Sequence, residues 1–396
     1  MMADFLEKYT AGKGVDTSLK KHSSARHVKR RYDNLYSLYP VVKFESCDYV
    51  TNVDSINATK FGPVILSELI KYVKTGGFLL VSYTPNKIMN SGGLRKIAEK
   101  FIGRFGEVAE YRKEKGRTTM IFRKTKDYLS KGDSINKWTI GVITNGKRDN
   151  WVLGMIESVR KQRIPEYEIL IVGNTGSAVR EQKGVRFVYF DQKDEKGWIT
   201  RKKNVICEKA KYENVLVLHD HLFLDKNWYS GMKRYGNYFQ ILTFWINSAA
   251  ERVLSWDVAS RGRWPYSLDA RDWDASAVIG GSYCALKKDV ALAVRWDERL
   301  FHFEGEDFKF SLDATKKGFV SRVNVFSDMG SYRALRKGPY AYKFDPAKLG
   351  RLNIKEKVTY RRLLDTSIYM GARNFSNSTL KVWKYGLKVK KRVSRR

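Results

Sequence analysis

Apolar and polar positions follow two rhythms along this chain, and the changes between them mark its elements. Cys47–Val53 is a short β-branched run bounded by polar residues, which predicts a strand. Residues 61–74 carry apolar side chains at helical spacing and predict an amphipathic helix, with Gly76-Gly77 as its stop. Residues 78–83 (FLLVSY) predict a buried strand, 94–105 a second helix, and 108–112 with 118–122 a closing hairpin. Residues 1–40 are polar and basic and lack either rhythm.

A polar stretch, 127–137, contains Gly132 and predicts a short linker. The rhythm then restarts. Residues 139–143 (TIGVI) predict a strand and 151–162 a helix, with Asp149 or Asn150 as its cap and Val152, Met155, Ile156 and Val159 as its apolar stripe. Strands follow at 168–172, 185–190 and 215–218, with a helix at 200–210 before the last of them. Alternating strands and helices imply an α/β fold with a mostly parallel sheet and its functional loops on one edge. That edge carries Thr144, Asn145 and Gly146, then Gly173, Asn174 and Thr175, then residues 201–204, and finally His219-Asp220-His221 at a strand tip, where ligands of open α/β sheets bind.

Composition changes this picture in one respect. The 396 residues carry a net charge of +33, which implies anionic partners. The last sixth of the chain holds 19 Lys/Arg against 3 Asp/Glu, so much of the excess is local. Within 381–396 (KVWKYGLKVKKRVSRR) aromatic and aliphatic residues interleave with basic ones, a pattern suited to an anionic bilayer; nucleic acid fits the same charge but is the less expected partner. Cys47, Cys207 and Cys284 are widely spaced and odd in number, which argues against a disulfide framework or a zinc site. The opening residues lack a signal-peptide pattern and no apolar run reaches the roughly 18 residues that span a bilayer, so a cytoplasmic protein, peripheral to a membrane at most, is expected.

Four blocks within 138–330 then carry a resemblance: "TIGVITNGKRDNWVLGMIESVRKQ", "EYEILIVGNTG", "GWITRKKNVICEKAKYENVLVLHDHLFLDKNW" and "IGGSYCALKKDVALAVRWDERLFHFEGEDFKFSLDATKKGF". In order and spacing they resemble a glycosyltransferase of the GT-A fold, family 2-like, with a later acidic motif similar to that of galactosyltransferase-like enzymes. The resemblance implies metal-dependent, inverting transfer of a sugar from a nucleoside diphosphate sugar to a glycan or lipid-linked acceptor. It implies donor contacts at Thr144, Asn145, Asn174, Lys203, Asn204 and Asp220. It also implies a Mn²⁺ or Mg²⁺ ion on Asp220, a Lewis acid for the leaving diphosphate. The second carboxylate of the usual acidic element is absent here; His221 stands beside Asp220 instead, and either ligates the ion or hydrogen-bonds a loop.

Further along, Gly281, Trp264 and Glu306 are the implied acceptor contacts, and Asp307, opening a helix that stops at Gly318, is the implied general base. Upstream, "LSELIKYVKTGGFLLVSY" and "RFGEVAEYRKEKGRTTMIFRK" resemble the second half of a class I S-adenosylmethionine-dependent methyltransferase. The nearest candidate for that family's glycine-rich cofactor turn is Gly12-Lys13-Gly14-Val15-Asp16, followed by Thr17-Ser18-Leu19 where the family would have further glycines, so a degenerate module is expected in 1–126, without bound S-adenosylmethionine. Four units follow: 1–126, the 127–137 linker, the 138–330 transferase domain and a basic helical extension over 331–396. A non-catalytic basic membrane- or nucleic-acid-binding protein, built on a degenerate transferase fold, is the alternative that the His-Asp-His departure leaves open.

Overall fold

The computed structural model describes residues 8–18, 25–27, 38–58, 62–190, 197–247, 252–254, 279–302 and 304–332. Two sheets organise them. The first holds β1 (Gly14–Asp16), β2 (Arg26–His27), β3 (Cys47–Val53), β4 (Val73–Tyr83), β5 (Gly106–Glu114) and β6 (Arg117–Lys124), in the order β2-β1-β3-β4-β6-β5. Its first four strands are parallel, and β6 and β5 close it as an antiparallel hairpin. Helix α1 (Gly62–Leu69) crosses from β3 to β4, and α2 (Gly93–Phe101) leads from β4 to β5.

Two expectations are corrected here. The helix over 61–74 ends at Leu69, and Gly76-Gly77 lies inside β4 instead of stopping the helix. Cys47 pairs with Val73 but Tyr49 with Phe78, so β4 carries extra residues across a break in register. At that break a Cβ on Gly77 would sit 2.4 Å from the Asp48 carbonyl oxygen, an approach only glycine permits. Within the Gly12–Asp16 stretch, Gly14–Asp16 forms β1. A Cβ on Gly14 would lie 2.0 Å from the Tyr49 ring, so this glycine is required by packing between β1 and β3.

The second sheet has nine strands: β7 (Lys137–Ile143), β8 (Glu166–Gly173), β9 (Val185–Tyr189), β10 (Asn214–His219), β11 (Leu222–Leu224), β12 (Ile241–Asn247), β13 (Arg252–Leu254), β14 (Tyr283–Lys287) and β15 (Ser321–Ser331). The order is β11-β15-β12-β14-β10-β7-β8-β9, with β13 paired to β12. Strands β10, β7, β8 and β9 form a parallel block, and β14 joins it antiparallel at β10. The helices are α3 (Asp149–Lys161), α4 (Ser177–Arg180), α5 (Ile199–Lys209), α6 (Trp228–Tyr235), α7 (Lys288–Val294) and α8 (Glu306–Lys316).

The apolar stripe of α3 is buried as its spacing dictates, against Trp138 and Trp228. Its cap differs from expectation. Arg148 is the N-cap residue and makes no capping bond, while the Asp149 carboxylate accepts the Gly176 N–H at 2.6 Å and ties the helix to the loop after β8.

The two sheets share one apolar core, to which Ile65, Leu69 and Phe105 contribute from the first unit and Leu286, Phe310 and Phe319 from the second. The expected linker is part of this junction. Tyr128 stacks on Phe105 at 4.6 Å and its N–H donates to Glu45, while Asp133 accepts from Lys287 at 2.7 Å. Gly318 ends α8 at a left-handed φ of 78°, and a Cβ there would lie 1.8 Å from the Lys100 carbonyl oxygen at the end of α2. At the centre of the junction Glu68 accepts from Lys71 at 2.6 Å and from Arg322, all three side chains being buried. The cysteines are free and buried, and burial pushes the Cys284 thiol up to about 12.

Burial also holds two lysines far below the usual lysine range. Lys287, which donates to Asp133, Asn214 and Asn237, is lowered to about 8, and so is Lys202. At these two lysines the unfolded chain binds more protons than the native state from about pH 8 to the ordinary lysine value of 10.5, so their contribution to stability rises with pH across that window. Each lysine contributes at most roughly 3 kcal/mol. Burial of the Cys207 and Cys284 thiols opposes the rise from about pH 9, their ordinary value, and Tyr83, raised to about 12 by burial, adds to that above pH 10, the ordinary tyrosine value. Thermal melting should rise between about pH 8 and 9 in the native chain and less steeply in Lys287→Met, the remainder coming from Lys202 and the other buried lysines, Lys71 and Lys124; equal slopes would refute the assignment.

Candidate active site

Register builds the site. Strand β10 lies between β7 and β14, with Leu218 opposite both Val142 and Tyr283. The residues just beyond Ile143 and His219 and just before Tyr283 must therefore emerge together at one edge. They are Thr144, Asp220 and Gly281-Ser282, and the His219 N–H donates to the Ser282 carbonyl at 2.9 Å.

Asp220 is buried and both its oxygens are engaged. Thr144 donates its hydroxyl to Oδ2 at 3.1 Å, and Arg148 donates Nη1 to Oδ1 at 2.8 Å. The Arg148 guanidinium lies 5.0 Å from the centre of the Trp151 ring, on the first turn of α3. Lys202 donates its ammonium to the Thr144 carbonyl, so α5 holds this corner from beneath. Burial depresses the Lys202 pKa, and the Asp220 charge opposes that effect.

One residue further along α5, Lys203 donates to the Gly281 carbonyl at 2.7 Å and to Glu306 Oε1 at 3.0 Å. This second corner contains the paired carboxylates. Gly305 takes a left-handed φ of 73° and starts α8, which places Glu306 and Asp307 in its first turn, both buried. A Cβ on Gly281 would lie 2.8 Å from Asp307 Oδ2 and 3.1 Å from Glu306 Oε1, so glycine is what allows the two carboxylates to meet the strand edge. Asp307 Oδ1 accepts the Phe308 N–H, and Ser311 donates to the Asp307 carbonyl.

The structure thus brings Thr144, Asp220, Lys203, Gly281, Glu306 and Asp307 to one edge. Others are placed differently. Asn204 is a tether: its amide donates to the Trp296 carbonyl and to Glu298, and its oxygen accepts the Trp296 N–H, which fastens α5 to the segment after α7. Asn145 is exposed and accepts the Lys147 N–H in a tight turn. Asn174 is exposed beside Gly146, at the tips of β7 and β8. Trp264 and the extension from 333 onward lie outside the described residues.

His221 is buried, with Nδ1 3.9 Å from Asp220 Oδ1, and His219 and His302 are close by, their ring centres 6.4 Å apart. No three His, Cys, Asp or Glu side chains converge as metal ligands among the described residues. The donor set at Asp220 does not fit a divalent ion in this arrangement: it offers a single carboxylate whose Oδ1 already bears a guanidinium, and an ion there would face that positive charge at contact range. Arg148 is the residue that sequence reasoning missed, while Lys202 lay within the expected 201–204 stretch without an assigned partner. Arg148 stands in the polar turn after β7, where no local pattern marks it out.

No family model matches the chain, and no curated protein matches it. Among solved structures it is similar to S. aureus TarS, at 13% identity and a TM-score of 0.40 over 61% of this chain and 44% of that one. It is also similar to GalNAc-T7 with UDP, GalNAc and Mn²⁺, at 14% identity and 0.40 over 63% and 54%. A third is the mannosyltransferase PcManGT from Pyrobaculum calidifontis in complex with GDP-Man and Mn²⁺, at 12% and 0.38 over 64% and 79%. The chain therefore spans less than half of TarS, and TM-scores of 0.40 and below are too low to establish a common fold. The fold and the site define a class: an α/β protein with a polar, carboxylate-bearing edge on its parallel block. No described helix is long and apolar enough to cross a membrane.

Proposed function

We propose that this chain is an inverting glycosyltransferase of GT-A type that moves a sugar from a nucleoside diphosphate sugar to a hydroxyl of a glycan or lipid-linked acceptor. The observation that carries the reading is the Glu306–Asp307 pair, buried at the first turn of α8 and held against Gly281 by Lys203, on the same strand edge as Asp220.

Inverting transfer needs a base at the acceptor oxygen, on the face of the sugar opposite the diphosphate. Asp307 takes that proton as the oxygen attacks the anomeric carbon. Glu306, fixed by Lys203, orients the acceptor, and Gly281 leaves room beside the pair. The donor lies along the tips of β7, β8 and β10, with Thr144 and Asp220 beneath its diphosphate and Asn145 and Asn174 at the outer rim. The excess of Lys and Arg over residues 331–396 supports an acceptor presented at an anionic surface. The strand order of the first sheet, with its antiparallel closing hairpin, supports a methyltransferase-like module that acts as scaffold.

The test is a panel of UDP- and GDP-linked sugars incubated with the full chain, with nucleoside diphosphate release as readout. At least one donor should be turned over through transfer or slow hydrolysis. If none is turned over and none binds, the chain is a binding protein on a transferase-like scaffold.

A further inference from the structure

At the tip of β10 the side chain that faces Asp220 is a cation from the chain itself. Arg148 Nη1 lies 2.8 Å from Asp220 Oδ1, and the guanidinium carbon lies 5.0 Å from the centre of the Trp151 ring. The Arg148 side chain keeps 30% of its surface exposed whereas that of Asp220 keeps 7%, so the guanidinium forms the outward face of the pair and the carboxylate its buried base. A guanidinium has five N–H donors in a planar fork. Among the described residues Nε and Nη2 of Arg148 make no hydrogen bond. Beside it, Lys202 and Lys203 bring two further positive charges to the edge, although both ammonium groups are committed to protein oxygens.

We infer that Arg148 is the diphosphate-binding cation of this site and that Asp220 serves as its anchor, so that nucleoside diphosphate binding does not depend on a divalent ion. The inference rests on the nucleotide-sugar reading above. Asp220 holds one corner of the fork and the Trp151 ring lies 5.0 Å away, which leaves the Nε and Nη2 groups to donate to oxygens of a dianionic diphosphate. Fork-to-phosphate hydrogen bonds between ionised partners are among the strong ones. A divalent ion on Asp220 Oδ1 would have to displace this group, whereas a diphosphate adds to it.

Isothermal titration of the full chain with UDP, GDP and inorganic pyrophosphate, first in excess EDTA and then in Mn²⁺, tests this. At least one of the three should bind in EDTA with an affinity that Mn²⁺ leaves nearly unchanged. Arg148→Ala should weaken that binding about 10- to 100-fold, with partial recovery in Arg148→Lys and far-UV circular dichroism like that of the native chain. Asp220→Asn, which would end binding through a metal, should weaken binding in EDTA by less than Arg148→Ala does, because the amide oxygen still accepts from Arg148. Binding that appears only with Mn²⁺ and is indifferent to Arg148→Ala overturns the inference and leaves the transferase reading standing. No binding of any of the three under either condition overturns both.

Discussion

Asp307→Asn is expected to lower turnover by about 10²- to 10⁴-fold, the usual contribution of a positioned general base, while leaving nucleoside diphosphate binding intact. The substitution conserves the shape of the side chain, and an amide oxygen still accepts the Phe308 N–H that Oδ1 accepts now. What it removes is the ability to take a proton from the acceptor hydroxyl. Asp307 meets Gly281 in the second corner of the site, whereas the Asp220–Arg148 pair forms the first, so the two activities should separate cleanly. The measurement pairs initial rates of nucleoside diphosphate release with titration by UDP or GDP. Undiminished turnover would move the base to another residue, and loss of binding together with turnover would show that Asp307 supports the site structurally.

Glu68→Gln should cost about 3–5 kcal/mol of stability, read as a shift of the urea midpoint. Glu68 is 3% exposed and is the carboxylate shared by Lys71 and Arg322, themselves 3% and 2% exposed. Burial already pushes the Lys71 pKa down, against the attraction of Glu68. Without the carboxylate two buried cations are left facing each other, and at a total stability of about 5–15 kcal/mol the loss is a large fraction of the whole. Lys71→Met added to Glu68→Gln should restore part of it, because one uncompensated charge disappears. An unchanged midpoint in the single variant would mean that water or another anion reaches the triad. Glu68 lies on α1 and Arg322 on β15, so the same experiment reports whether the two sheets unfold as one body.

The elements were largely legible in the sequence. Strands at 139–143, 168–172, 185–190 and 215–218 and helices at 151–162 and 200–210 fall within a few residues of β7, β8, β9, β10, α3 and α5. A parallel block needs continuous β-branched runs and its crossover helices need apolar stripes, and both leave local periodic signals. The errors occurred where the deciding neighbour is remote in sequence. Gly76-Gly77 followed an apolar helical stretch and read as a helix stop, yet pairing with β3 draws it into β4. Asp149 had the composition of a cap, yet its carboxylate is taken by the Gly176 N–H, 27 residues away.

The site divides along the same line. His219-Asp220-His221 could be placed at a strand tip, and Glu306-Asp307 at a helix start, from local pattern alone, because both depend on where one element ends. That these two places share an edge follows from β14 pairing antiparallel with β10, which carries Gly281 to the carboxylates. Which charge meets which was decided by the tertiary structure. Lys203 lies on Glu306, and Arg148 occupies the Asp220 oxygen at which a metal was expected. The sequence by itself determined the residue types, the strand and helix phases and hence the α/β class, since these follow from side-chain periodicity over a few residues. Only the tertiary structure decided the partner of each buried charge, since a carboxylate is neutralised by whichever cation the packing brings within 3 Å, and that distance has no counterpart in sequence spacing.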